Sequence, residues 1–234
     1  MNPLITVIIP TYNGARFLGE AIESIRANHY DPLEILVIDD ASSDATIELA
    51  RKWIGAANVQ SHAHSGRPAV GRNRGIQLAR GEVIAFLDQD DVWTVDKLAR
   101  QLVCFAARPA LQVIWGHTQR LQENPDGSFA PFGAPLDYRL VSSALFRKTV
   151  FEQVGEFDAE LRYLGDDLDW YLRACNANIP MDMLDTVTLY WRFHAANTSH
   201  TAEIRNHAQG YDHALTEVLK KSLQRKREQN RDRS

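Results

Sequence analysis

The chain has 234 residues, 44% hydrophobic and 24% charged, a formal net charge of −4 and two cysteines. That length supports one substantial core, and the longest apolar runs, residues 5–10 and 83–87, have the dimensions of strands, not of membrane spans. Residues 1–3 show no signal-peptide pattern, and two cysteines without partners at ligand spacing exclude a disulfide scaffold or a zinc module; a soluble cytoplasmic protein with Cys104 and Cys175 reduced in a core is expected.

Short β-prone runs at residues 4–9, 33–38, 58–61 and 82–87 alternate with helical stretches at 15–27, 43–53 and 69–79. The first, second and fourth runs are largely continuous in apolar residues, as in strands covered on both faces. The helical stretches carry apolar residues three and four apart, such as Phe17, Ala21, Ile22 and Ile25. This alternation predicts right-handed β-α-β units and a mainly parallel sheet, with a ligand crevice beyond the carboxyl ends of its strands.

Past Leu87 the regularity is lost. A helix is expected at 94–107, a strand at 111–117, and a hairpin tip or mobile loop in the Pro/Gly-rich stretch 124–135. There follow a strand at 142–146, short helices at 148–154 and 166–174, a strand at 186–193 and an amphipathic helix at about 202–223. One domain over 1–224 is expected, then a basic tail at 225–234 that is either a solvated end or a peripheral contact for an anionic membrane surface.

Acids gather at three element ends: Asp39 and Asp40; Asp88, Asp90 and Asp91; Asp166, Asp167 and Asp169. In a parallel sheet the first two groups emerge at one edge, a crowding that predicts a bound divalent cation, Mn²⁺ or Mg²⁺. Asp88 and Asp90, one residue apart, can both reach such an ion together with donor phosphates, whereas Asp90 or Asp91 can alternatively cap the next helix. Any one of Ser42, Ser43 and Asp44 suffices to cap the helix after the second strand. A carboxylate there then remains to accept a hydrogen bond from the N–H of a uracil-like base. Arg72, in preference to Arg74, offers a planar fork to diphosphate oxygens. Trp115, Tyr163, Trp170 and Trp191 can stack on a sugar ring or pack in the core.

In order along the chain, Val7-Ile8-Ile9-Pro10-Thr11-Tyr12-Asn13-Gly14, Val37-Ile38-Asp39-Asp40-Ala41-Ser42-Ser43-Asp44, Arg72-Asn73-Arg74-Gly75-Ile76, Ala79-Arg80-Gly81-Glu82 and Phe86-Leu87-Asp88-Gln89-Asp90-Asp91 resemble the inverting glycosyltransferase family 2, from residue 4 to about residue 200. The resemblance implies the α/β glycosyltransferase A fold: a Rossmann-like, mainly parallel sheet flanked by helices, with a smaller mixed region on the acceptor side. Residues 1–110 would form the nucleotide-sugar-binding half, 111–200 the acceptor-side half and 201–224 a C-terminal helix.

It further implies that Pro10, Tyr12 and Asp40, with Asp39, line a nucleoside pocket, that Asp88 lies near ribose and metal, and that Asp90 is the metal ligand. Gly165-Asp166-Asp167-Leu168-Asp169-Trp170 is similar to the family's Glu-Asp pair and following aromatic helix, with Asp166 in place of the usual Glu and Leu168 in place of a common Trp. Asp167 then aligns with the catalytic base, and Asp166 is the alternative, because either can serve as a helix cap. Arg192-Phe193-His194, with Asn197 and Ser199, resembles a late segment near the donor phosphates, which makes His194 a metal or phosphate contact unless it is structural.

The implied reaction moves a hexosyl or N-acetylhexosaminyl group from a nucleotide diphosphate sugar, UDP-linked, to an acceptor hydroxyl on a lipid-linked glycan, polysaccharide, peptide or small molecule. A Q-x-x-R-W segment is absent, which fits addition of one sugar at a time. Two rival readings are a nucleotidyltransferase, which would carry a Gly-rich basic loop where this chain has Pro10-Thr11-Tyr12-Asn13-Gly14, and a non-catalytic nucleotide-sugar-binding module, against which the acids at all three positions stand. No nucleic-acid reader motif accompanies the basic tail.

Overall fold

A computed structural model describes residues 2–161, 165–195, 197 and 215–225. The first four apolar runs form parallel strands, β1 (Ile5–Thr11), β2 (Leu33–Asp39), β3 (Val59–Ser61) and β4 (Val83–Phe86), ordered β3-β2-β1-β4. Their side chains alternate between two cores. Ile5, Val7, Ile9, Ile35, Val37, Val83 and Ala85 pack with α1 (Leu18–Arg26) and α2 (Thr46–Ile54) on one face. Ile8, Leu36, Ile38, Ile84 and Phe86 pack with α3 (Pro68–Leu78) on the other. Both faces of β1, β2 and β4 are covered, so a polar side chain there needs a partner and these three runs read as largely apolar, whereas the edge strand β3 carries the half-buried Gln60 and exposed Ser61. Each fully buried Ile or Val contributes about 1.5–3 kcal/mol.

Helix α3 approaches β1 closely because Gly75 has no side chain: a Cβ there would lie 2.3 Å from Ile8 Cγ2. Gly75→Ala is therefore expected to overpack this contact and cost about 1–3 kcal/mol, despite alanine's better helix propensity. A lower urea midpoint at unchanged slope would show it; an unchanged midpoint would mean that α3 can back away freely.

Beyond β4 come β5 (Val92–Trp93), α4 (Lys97–Ala107), β6 (Val113–Glu123), β7 (Phe129–Pro131), β8 (Leu145–Arg147), α5 (Val150–Val154), α6 (Gly165–Asn176) and β9 (Met181–Phe193). The sheet continues β4-β8-β6-β9-β5 with β7 beside β6; β6 and β9 pair in parallel and the other pairs are antiparallel. The mixed region is thus larger than expected. Strands β6 and β9 outrun their predicted lengths because each is paired with the other over most of its course, which carries polar residues such as Gln119 and Arg120 in strand conformation. Residues 124–135 hold a hairpin, the first of the two readings given them: Gly127 turns the chain at φ +83° and Asn124 N donates to Ser128 O at 2.8 Å. The strand expected at 142 starts at Leu145, after a single 3-10 turn at Val141–Ser143.

Residues 215–225 are helical, and the 202–214 part of the expected last helix lies outside the described residues. Arg225, assigned from its charge to a tail, belongs to this helix and docks. Its guanidinium reaches Asp158 at 2.7 Å and Asp169 at 2.5 Å, while Lys221 Nζ reaches Asp158 and Glu160 at 2.7 Å. The expectation of core thiols holds only in part. Cys104, on α4, is half-buried and packs against the core, whereas Cys175 is exposed because the buried face of α6 is taken by Asp166, Asp167, Trp170 and Ala174. No described helix is long and apolar enough to cross a membrane.

Candidate active site

The carboxyl ends of β1, β2 and β4 bring the first two acid groups to one rim, as the parallel order requires. Asp44 takes the capping task beside α2, accepting from Thr46 N at 3.0 Å. Asp39 and Asp40 are nonetheless engaged. The fully buried Asp39 carboxylate accepts from Ser42 N at 3.2 and 3.3 Å. Asp40 accepts from Ser65 N at 2.6 Å and Gly66 N at 2.8 Å, with His62 and His64 Nδ1 at 3.3 and 3.1 Å. Asp40 therefore ties down the loop after β3. Tyr12 is 45% exposed, with its ring 4.5 Å from that of His64, and Pro10 is buried against α3 beside Gly71. His62 and His64 were missed by sequence reasoning; their place just past the carboxyl end of a parallel strand was the signal available.

After β4 the two acids diverge. Asp88 Oδ1 accepts from Arg72 Nη2 at 2.9 Å, whereas Asp90 Oδ2 lies 3.2 Å from His194 Nε2 and accepts from Asn197 Nδ2 at 3.1 Å. Between them Gln89 reaches back to β1, taking Tyr12 N on its Oε1 and giving its Nε2 to Tyr12 O, both at 2.9 Å. Gly14 makes room, since a Cβ there would stand 2.1 Å from Gln89 Oε1. The buried Asp91 accepts from Arg192 N at 2.9 Å; burial, then repulsion by Asp90 and Asp88, pushes its pKa well above the usual carboxylate range. Neither Asp90 nor Asp91 caps α4, whose N-cap position is Asp96.

Arg72, expected to grip phosphates, is 5% exposed and holds carboxylates. Its Nη1 donates to Asp166 Oδ2 at 2.7 Å and Asp167 Oδ1 at 3.1 Å, and its Nη2 to Asp88. One guanidinium thus joins the acids past β4 to the acid pair in the first turn of α6, and their charges raise its own pKa despite burial. Asp167 Oδ2 also accepts from Val141 N at 3.2 Å. Burial pushes Asp167 up to about 7: Arg72 opposes the rise, and Asp166 and Asp88 add to it. Asp166 is raised by burial as well, again opposed by Arg72. Asp169 stands apart from this cluster, paired with Arg173 at 2.8 Å and with Arg225.

Among the described residues no set of three or more His, Cys, Asp or Glu side chains forms a ready-made metal cage. Asp90 and His194 still fit a divalent cation: His194 is nearly buried and turns its Nε2 toward the Asp90 carboxylate, which pairs an imidazole nitrogen with an oxygen ligand. Mg²⁺-type sites commonly use one or two carboxylates and take their remaining oxygens from substrate phosphates and water. Trp115 and Trp170 are core residues, not sugar platforms. Trp170 donates Nε1 to Gly155 O at 3.0 Å and lies 5.3 Å from the Phe146 ring. Trp191 packs on Phe193 at 4.4 Å; Tyr163 and Ser199 lie outside the described residues.

Residues 6–154 match the family described as Glycosyl transferase family 2. The uncharacterized glycosyltransferase RP339 of Rickettsia prowazekii (strain Madrid E) is 29% identical over 236 residues, covering 94% of this chain and 73% of its own. The putative teichuronic acid biosynthesis glycosyltransferase TuaG of Bacillus subtilis (strain 168) is 28% identical over 142 residues, 58% of this chain and 52% of its own. Among solved structures, S. aureus TarS 1-349 in complex with UDP-GlcNAc superposes with a TM-score of 0.68 at 20% identity, over 85% of this chain and 61% of that one. The mannosyltransferase PcManGT from Pyrobaculum calidifontis, in complex with GDP-Man and Mn²⁺, gives 0.62 at 20% identity, over 92% and 65%. The chain thus spans less than two thirds of these two structures, and at such identities they speak for the fold alone. The chain belongs to glycosyltransferase family 2 and has the glycosyltransferase A fold.

Proposed function

We propose that this glycosyltransferase moves a hexosyl or N-acetylhexosaminyl group from a UDP-linked donor to an acceptor hydroxyl by a single displacement with inversion. The observation that carries this reading is Asp167: a buried carboxyl group poised near pH 7, joined through Arg72 to the acid at the end of β4. A general base works best when its pKa lies near the working pH. Asp167 takes the proton from the acceptor oxygen as that oxygen attacks the anomeric carbon opposite the departing nucleotide. Asp166 shares the guanidinium but lacks the Val141 N–H contact, which favours Asp167 as the base.

Tyr12, half exposed over His64, offers a ring face to the nucleobase, with Pro10, Asp39 and Asp40 shaping that end of the rim. Asp88 lies between this end and the base. Asp90 and His194 would hold Mn²⁺ or Mg²⁺, which when bound supplies positive charge to the leaving diphosphate. Among the similar folds, TarS binds UDP-GlcNAc, whereas the mannosyltransferase PcManGT binds GDP-Man with Mn²⁺.

Asp90→Ala is expected to lower the Mn²⁺-dependent affinity for UDP at least tenfold and to leave metal-free binding unchanged. Calorimetry with and without Mn²⁺ measures both. Equal metal dependence in the variant and the parent would remove Asp90 from this role.

A further inference from the structure

Lys97, the first residue of α4, is completely buried and makes no ion pair among the described residues. An ammonium group in that position is costly unless its protons are matched. They are: Nζ donates to Gln101 Oε1 at 2.7 Å, Ser143 O at 2.9 Å and Ala144 O at 3.2 Å, with the Trp93 ring centroid 4.9 Å away. Packing alone would be met by leucine or methionine. Two of the three acceptors belong to the end of the Val141–Ser143 turn.

The same turn is gripped from several elements. Ser143 O also accepts from Gln101 Nε2 at 2.8 Å and Thr188 Oγ1 at 3.0 Å, and Ser142 O accepts from Trp93 Nε1 at 2.9 Å. Its opposite side meets the acids: Val141 N donates to Asp167 Oδ2, and Asp88 N donates to Ser142 Oγ at 3.3 Å. Carbonyls drawn toward the buried amine leave the N–H of Val141 pointing at the carboxylate.

We propose that Lys97 is a positioning residue for sugar transfer: by holding the carbonyls of Ser143 and Ala144 it fixes the Val141 N–H on Asp167 and the Ser142 hydroxyl under Asp88. This rests on Asp167 being the base. The groups facing Asp167 are Arg72, Asp166, Asp88 and the Val141 N–H, so release of the turn removes one stabilising contact from its charged form.

The test uses Lys97→Met and Val141→Pro, singly and combined, in the full chain. Leu140 has ψ 131°, a conformation that accepts a following proline, so the second variant deletes the N–H and keeps the turn. Aspartate ¹³C NMR titration of the donor-free protein, with Asp167→Asn identifying the signal, is expected to show the Asp167 midpoint raised by roughly half a unit in each single variant. Mn²⁺-dependent hydrolysis of UDP-GlcNAc, used as the probe, should lose about tenfold in kcat with donor KM within about twofold. The double variant should be no worse than the poorer single one, because both act through one contact. If Lys97→Met does not fold, Thr188→Val loosens the same turn and should move the titration in the same direction. A lower melting temperature with titration and kcat unmoved, or losses that multiply in the double variant, would overturn the proposal. A moved titration with kcat unmoved would overturn the assignment of Asp167 as base and, with it, any catalytic importance of Lys97.

Discussion

Asp167→Asn is expected to lower kcat by about 10²–10⁴-fold while donor affinity stays within about twofold, because the proposed base acts on the acceptor and not on the nucleotide. In the parent, activity should climb with pH through about 7 and then level, as the carboxyl group loses its proton. Stability should change in the opposite sense. The folded pKa of Asp167 lies above the ordinary carboxylate value of 3.8, so between roughly pH 4 and 7 the native state holds the extra proton, and stability from this group falls as pH rises through that window. Asparagine needs no deprotonation. The variant should therefore melt higher than the parent at pH 8, by at most about 4 kcal/mol, and the gain should vanish near pH 4. Retained transfer would take Asp167 out of the mechanism; an equal stability difference at both pH values would refute the raised pKa.

Arg72→Met should be among the most destabilising single changes in the site. It strands Asp88, Asp166 and Asp167 around an apolar side chain, and breaking a buried ion pair from one side costs about 3–5 kcal/mol. Arg72 is also what restrains the rise of the Asp167 pKa. Without it the three acids ionise less readily, so the deficit should be large at pH 8 and shrink toward pH 5, where protonation relieves their repulsion. Urea melts at the two pH values measure this, and adding Asp166→Asn should recover part of the loss at pH 8. A variant with parental stability but weakened UDP binding would restore the reading made from sequence, in which this guanidinium serves the diphosphate.

The contrast over Arg72 shows where sequence reasoning stops. Its type and approximate place were legible from the motif, but its partners lie 16, 94 and 95 residues away, on other elements. Strands β1, β2 and β4 were legible because burial on both faces leaves a largely continuous apolar record. Strand β5 has two residues and leaves none, and β6 with β9 is stabilised by mutual pairing that no local pattern announces. The acids at the rim were found because carboxylates at strand ends have few structural reasons to cluster; Asp169 and Asp91 proved to have such reasons. Lys97 reads in sequence as an ordinary charged residue at the start of a helix, and the Val141 N–H is backbone, which sequence never distinguishes.

Gln89 fastens the backbone of Tyr12 by both its N–H and its carbonyl, and it stands between Asp88 and Asp90. The loops that follow β1 and β4 are consequently a single mechanical part. A change that retunes the aromatic lip at Tyr12 will drag the neighbouring acids with it, so under the proposed function nucleobase preference and cation binding should drift together. Replacing Gln89 by glutamate would set a carboxylate against the Tyr12 carbonyl and uncouple the two.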